Sequence, residues 1–291
     1  MYQAKGIIAA MVTPMQANEK INEAELRNQV DRMVRAGIHQ LFCLGTNGEF
    51  YALSFDEKVE VMRIVVDQCK GRVPVCAGTG CITTEETISL SRRAMELGVD
   101  AVSVITPYFA AVSQNELKSH YTEIAARVDM PIILYNIPAR TGNQLEPETV
   151  AQLSRVDNIV AVKDSSGNFD TILRYIEATD ETFSVLSGND SLILWTLLAG
   201  GKGGIAGTAN LFPELLVSIY DNWRAGDPEN ANRLQKSLRP IRNMLKLANP
   251  NTVIKRAMNL LGYPVGPARR PVAGDPGVLD ENLKKVLALY R

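Results

Sequence analysis

Histidine is almost absent from this chain: 291 residues contain two, His39 and His120. A metal-dependent aldolase or hydrolase gathers several imidazoles around its ion, and a Ser-His-Asp triad needs a histidine beside its nucleophile. His39 enters a strand-like run and His120 sits inside an amphipathic stretch, each without such company. Neither chemistry is expected, and no metal is assigned. Cysteine is also scarce. Cys43, Cys69, Cys76 and Cys81 form no CxxC pair, and Cys43 and Cys76 lie inside apolar runs, which reads as reduced core thiols. Aromatic residues make up 6% of the chain and the formal charge is −1 without a basic block. The footprint of a nucleic-acid or acidic-membrane binder is therefore missing. No apolar run reaches bilayer length. The opening MYQAKGIIAAMVTP is stopped by Thr13-Pro14 and lacks a signal-peptide layout. These absences point to a cytoplasmic protein whose partners are small molecules or copies of itself.

What is present is a regular alternation. Residues 6–12 read as a strand, and Asn22 then caps a helix whose apolar face is Leu26, Val30, Met33 and Val34, with Glu25 completing a capping box and Gly37 ending it. The unit recurs. Strand-like runs follow at 38–44, 73–77, 101–105, 131–135, 159–163 and 183–186, with a short eighth inside the glycine-rich stretch 200–207. The pairs Ser54/Glu57, Thr83/Glu86 and Ser113/Glu116 open the next helices, and later ones begin near Pro147, at Ser191 and at Pro213. Eight such units predict an α/β fold, a (β/α)8 TIM barrel, with its chemistry where strands end and helices begin. A doubly wound open sheet is the alternative. Past Gly226 only helices are expected, at about 228–247, 250–261 and 280–290. A Pro- and Gly-rich link at 262–277 is either an ordered wrap or a loose connector. The expected division is a catalytic barrel over 1–225 and a C-terminal α-helical extension over 226–291.

The most informative run is IVAVKDSSG at 159–167, β-branched and small residues that end in Lys163. It reads as a strand buried on both faces, where an ammonium must either escape to water at the strand end or be desolvated. Desolvation favours the neutral amine, which is a nucleophile. In a barrel, strand ends would project Thr46, Asn47, Thr79, Tyr108, Phe109, Tyr135, Lys163, Gly188 and Ile205 into one mouth. Tyr135 closes PIILY as Lys163 closes its own strand, so a phenol and an amine able to exchange protons would lie on adjacent strands. The loop 45–48 offers backbone N–H groups to a carboxylate, and Arg140 could grip a second one or be a solvated surface residue. The glycines of 200–207, with Lys202, are read either as a tight strand entry or as a phosphate seat.

These motifs resemble the dihydrodipicolinate synthase and N-acetylneuraminate lyase superfamily of class I, lysine-dependent aldolases. The resemblance runs from about residue 6 to 261. It rests on Gly45-Thr46-Asn47-Gly48-Glu49, Tyr135-Asn136-Ile137-Pro138, Val162-Lys163-Asp164, Leu186-Ser187-Gly188-Asn189-Asp190 and Gly203-Gly204-Ile205. It implies that Lys163 forms an imine with pyruvate or a pyruvate-releasing 2-oxo acid. Tyr135 would be the acid/base, Thr46 would assist, and the amides of Thr46 and Asn47 would hold the carboxylate. Asn47, Arg140, Gly188, Ile205, Tyr108 and Phe109 would line the substrate. The covalent imine would replace any cofactor, the second partner would be an aldehyde, and the assembly would be a homotetramer or dimer. Two residues depart from the dihydrodipicolinate synthase pattern: Asn47 replaces a second threonine, and Phe109 replaces the second of two tyrosines. The expected activity is thus a hydroxy-oxo-acid or sugar-acid aldolase. The alternatives are 4-hydroxy-tetrahydrodipicolinate synthase, condensing pyruvate with aspartate semialdehyde, and a weakly catalytic pyruvate-binding protein.

Overall fold

The computed structural model describes residues 2–272 and 276–290. Eight parallel strands close into a barrel in chain order: β1 Gly6–Ala10, β2 Gln40–Cys43, β3 Val75–Gly78, β4 Ala101–Ile105, β5 Ile132–Asn136, β6 Ile159–Asp164, β7 Ser184–Ser187 and β8 Gly203–Ala206. Gly6 pairs with Gly203, so β8 returns to β1 and no edge is left open. Around the strands run α1 Glu23–Arg35, α2 Phe55–Cys69, α3 Thr84–Glu96, α4 Gln114–Arg127, the short α5 Pro138–Thr141, α6 Pro147–Leu153, α7 Phe169–Ala178, α8 Ile193–Leu198 and α9 Pro213–Arg224. The chain then continues through α10 Pro228–Ser237, α11 Arg239–Met244, α12 Pro250–Leu260 and α13 Pro276–Leu287. The architecture is the expected TIM barrel with C-terminal helices, and none of the described helices is long and apolar enough to cross a membrane.

Local differences have local causes. Ser54/Glu57 and Ser113/Glu116 form complete capping boxes, whereas Asn22 accepts from the Glu25 N–H without the return bond. The Glu25 carboxylate is buried and accepts from Gln29 Nε2 at 2.5 Å instead. The helix expected over 228–247 breaks into α10 and α11 because Pro240 has no N–H to donate and its ring crowds the preceding turn. The last helix begins at Pro276, earlier than residue 280, and ends in a 3-10 turn, Ala288–Tyr290. The described part of the link, 262–272, is an ordered wrap, while 273–275 lie outside the described residues. Arg269 fastens it by two 2.8 Å bonds to the Glu57 carboxylate and by donating to the carbonyls of Glu19 and Ala52. These bonds hold the Glu57 carboxyl below its ordinary range.

The barrel interior is lined by Ile8, Ala10, Phe42, Cys76, Ala101, Ile133, Ala161, Leu186 and Ile205. Strand side chains alternate between faces, so residues two apart share one. Tyr135 therefore follows Ile133 inward, and Lys163 follows Ala161. A second apolar cluster joins Val12 and Leu211 of the barrel to Val253, Ile254, Ala257 and Met258 of α12 and to Leu283 and Leu287 of α13. The C-terminal helices thus pack beside the barrel mouth. All four cysteines are free and buried, and burial pushes the Cys43 thiol up to about 12.

His120 gives this packing a pH dependence. Its Nδ1 lies 2.9 Å from Thr84 Oγ1, joining α4 to α3, and burial pushes the imidazole down from 6.5 to about 4. Between those values the unfolded chain binds a proton that the folded chain does not. Stability therefore rises with pH through this window and is lost as pH falls, by about 3 kcal/mol in total. His120→Gln is expected to flatten the dependence of the urea midpoint between pH 7 and pH 5, where most of that loss falls. An unchanged slope would show that the imidazole is not the titrating group.

Candidate active site

Lys163 ends β6 directly across from Tyr135 on β5, the two being register partners. Both are 4% exposed, and the Lys163 Nζ sits 3.9 Å from the centre of the Tyr135 ring and 5.0 Å from that of Phe42. The phenol points onward to Thr46, whose Oγ1 is 3.1 Å from the Tyr135 hydroxyl. The amine lies over the phenol ring and the phenol hydroxyl reaches the Thr46 alcohol, so the ends of β6 and β5 meet the loop after β2.

Room beside the amine depends on one glycine. A Cβ at Gly188 would fall 2.0 Å from Ser165 Oγ and 3.0 Å from Lys163 Cε. Any larger residue would press on the lysine stem or displace the β6 end. That end is stiffened by Asp164, whose carboxylate accepts from Asn136 Nδ2 at 2.8 Å and Ser166 Oγ at 2.7 Å. Burial raises the Asp164 carboxyl, and these two bonds partly offset the rise. Asp164 is thus occupied by its own neighbours rather than by the adjacent lysine.

Thr46, Asn47, Tyr135, Arg140, Lys163, Gly188 and Ile205 line one cavity of about 320 Å³. Among the described residues, nothing accepts the backbone N–H of Thr46 or Asn47. The Asn47 side chain lies against Gly207, just past β8, its Nδ2 only 2.5 Å from where a Cβ there would be. Tyr108 is elsewhere. It lines a neighbouring cavity of about 250 Å³, which shares Thr46 and Arg140 with the first. Burial pushes the Tyr108 phenol up to about 12. Phe109 is 97% exposed in a left-handed backbone conformation, φ 78°, and lines neither cavity. The phosphate reading of 200–207 is corrected: Lys202 precedes β8, at the barrel end opposite the mouth, and of the described residues in that stretch Ile205 and Gly207 reach the cavity with Lys163.

Several cavity residues were not singled out from the sequence. Arg242 on α11 and Lys246 just beyond it line the same space as Arg140 and Lys163. Arg242 is held in place by Asn189 Oδ1 at 2.8 Å and Ser191 Oγ at 3.3 Å. Asp190, the one carboxylate among the described residues lining this cavity, accepts from the N–H groups of Gly207 and Thr208 and lies 3.8 Å from the Arg242 guanidinium, leaving Arg140, Lys163 and Lys246 without a carboxylate in the cavity. The excess of positive charge suits an anionic ligand. No local motif marks them: Arg242 sits on α11, and Lys246 lies in the turn past its end.

Comparison with known proteins follows the same outline. The sequence model described as the Dihydrodipicolinate synthetase family matches residues 3–288. The 4-hydroxy-tetrahydrodipicolinate synthase of Methanopyrus kandleri is 42% identical over 273 residues, 93% of this chain and 91% of that protein. The crystal structure of dihydrodipicolinate synthase from Aquifex aeolicus superposes with a TM-score of 0.95 at 33% identity, covering 99% of this chain and 98% of the other. A prophage protein from E. coli K12, of the dihydrodipicolinic acid synthase family and solved in complex with pyruvate, reaches 0.93 at 33% identity over 98% of each chain.

Proposed function

The chain belongs to the dihydrodipicolinate synthetase family, and on that premise we propose that it condenses pyruvate with aspartate semialdehyde through an imine on Lys163. As a member it is a lyase of the class I pyruvate aldolase type, a family in which a covalent lysine–pyruvate imine stands in for an external cofactor. The observation that carries the residue assignment is the pair of contacts made by Tyr135, its ring with Lys163 Nζ and its hydroxyl with Thr46 Oγ1.

In this reading the Lys163 amine adds to the C2 ketone of pyruvate, and loss of water leaves the imine. The methyl group then gives up a proton, and the enamine carbon attacks the aldehyde. Hydrolysis of the imine frees the product and restores the amine. The Tyr135 hydroxyl, hydrogen-bonded to Thr46, carries the protons. The free amides of Thr46 and Asn47 receive the pyruvate carboxylate. Gly188 and Ile205 bound the methyl side, and Arg140 grips the carboxylate of the aldehyde. Tyr108 approaches from the adjoining cavity. The relatives' name favours the synthase over the hydroxy-oxo-acid aldolase, as does Arg140 at the cavity wall.

The aldolase is the second reading, favoured by Asn47 and Phe109 at the two positions that depart from the synthase pattern. A cytoplasmic location, a homodimer or homotetramer, and the division at residue 226 belong to the same proposal. Exposed Phe109, Trp195 and Leu198 support the assembly. The deciding assay offers pyruvate with aspartate semialdehyde, and separately 4-hydroxy-2-oxoglutarate. Condensation should exceed cleavage by at least about tenfold in kcat/KM, a difference of about 1.4 kcal/mol in transition-state stabilisation. Cleavage without condensation would overturn the synthase assignment and leave the aldolase.

A further inference from the structure

The loop that carries Thr46 is not held by the barrel alone. Between β2 and α2 two non-glycine residues adopt left-handed backbone conformations, Leu44 and Glu49, each at φ 58°. Such residues stay there only when their surroundings impose the conformation. The loop is held from its own side, the Thr46 carbonyl accepting from the Glu49 N–H at 3.1 Å and the Gly48 carbonyl from Thr13 Oγ1 at 2.7 Å, and also from α12, about 200 residues away in sequence. Asn251, 1% exposed, donates from Nδ2 to the Thr46 carbonyl at 2.8 Å and to the Tyr51 hydroxyl at 2.9 Å. One amide thereby ties both ends of the segment 46–51. Lys255, one turn further along the helix, pairs with Glu49 between them. The orientation of the Asn251 amide follows from its partner, since a carbonyl oxygen accepts only from the nitrogen end.

We propose that Asn251 is a positioning residue for proton transfer: by holding the Thr46 carbonyl it keeps the Thr46 hydroxyl against Tyr135. The assignment rests on the Lys163, Tyr135 and Thr46 relay proposed above. It adds that the relay is built partly by a residue of a C-terminal helix, Asn251, that does not line the cavity with Lys163. Without the amide, the Thr46 carbonyl keeps only its bond from the Glu49 N–H, the tie to Tyr51 is lost, and Thr46 Oγ1 shifts from the phenol. Displacements on the order of an ångström cost a reacting group up to about 10²-fold in rate.

The test uses pyruvate alone, so it does not depend on the identity of the aldehyde. In heavy water the enamine step exchanges the methyl protons of pyruvate for deuterium, and borohydride trapping counts the sites able to form the imine. Asn251→Asp keeps the shape of the side chain and removes the donor. It is expected to slow exchange per trapped site by about tenfold at saturating pyruvate. Thr46→Val should slow it by about 10²-fold. In the Thr46→Val background, adding Asn251→Asp should cost less than about twofold, because residues acting through one contact are not additive. Asn251→Ala serves as a second variant should the aspartate disturb folding. A full tenfold loss persisting in the Thr46→Val background, or no loss in either Asn251 variant, overturns the assignment while leaving the relay standing. A Thr46→Val enzyme that exchanges at the wild-type rate sinks the relay and this assignment together.

Discussion

Replacing Lys163 with alanine is expected to reduce pyruvate turnover to background, a loss on the order of 10⁵ in kcat, comparable to removing the nucleophile from other covalent enzymes. With the native chain, borohydride added in the presence of pyruvate should leave a reduced adduct on the peptide that contains Lys163, and the alanine variant should carry none. The barrel interior explains why the effect should be concentrated in one residue. Among the other lysines, Lys255 is also buried but is paired with Glu49 behind the mouth, and Lys246 is exposed at the rim. Lys163 alone combines burial with an aromatic face 3.9 Å away and with space guaranteed by Gly188. An adduct on any other lysine, or turnover surviving in the variant, would remove the imine mechanism as drawn.

The fold was legible because each of its eight units repeats the same two periodicities, and strand ends in a closed parallel barrel have only one mouth to face. That geometry is enough to set Tyr135 beside Lys163 from the sequence, and the register pairs them directly. The contributions of the C-terminal helices were not legible. Asn251 and Arg242 meet the barrel loops through contacts spanning 51 to 205 positions in sequence, Lys246 lines the cavity with Arg242, and no local pattern announces such a meeting. Lys202 illustrates the reverse error. Glycines beside a lysine look like an anion seat in sequence, but a residue that precedes a barrel strand belongs to the wrong end of it. Phe109 marks a different limit, since a residue 97% exposed on its own chain gives no sign in the sequence of what it faces.

The same helix that positions Thr46 should dominate stability through Glu49 and Lys255, both 0% exposed and paired with each other. Glu49 Oε2 also accepts from the Arg269 N–H at 2.7 Å, and Lys255 donates to the Pro267 carbonyl at 2.9 Å. Burial pulls the Lys255 ammonium down, and Glu49 partly restores it. Breaking such a pair from one side typically costs about 3–5 kcal/mol, because the survivor is left charged in a dry site. The survivor can escape by changing its protonation, which limits the penalty at pH 7 to roughly 4 kcal/mol for an orphaned carboxylate and roughly 5 for an orphaned ammonium. Glu49→Gln should therefore be the more damaging single change, and Lys255→Met the milder one. Their pH dependences should run in opposite directions. With Met at 255, the stranded carboxyl takes up a proton as pH falls, so the deficit against the native chain shrinks between pH 7 and pH 5. With Gln at 49, the stranded amine loses its proton as pH rises, so the deficit shrinks between pH 7 and pH 9. The double variant, which leaves no orphaned charge, should recover part of either loss in urea unfolding. Parallel pH profiles, or a double variant as unstable as the sum of the two, would mean that the pair contributes through packing rather than through its charges.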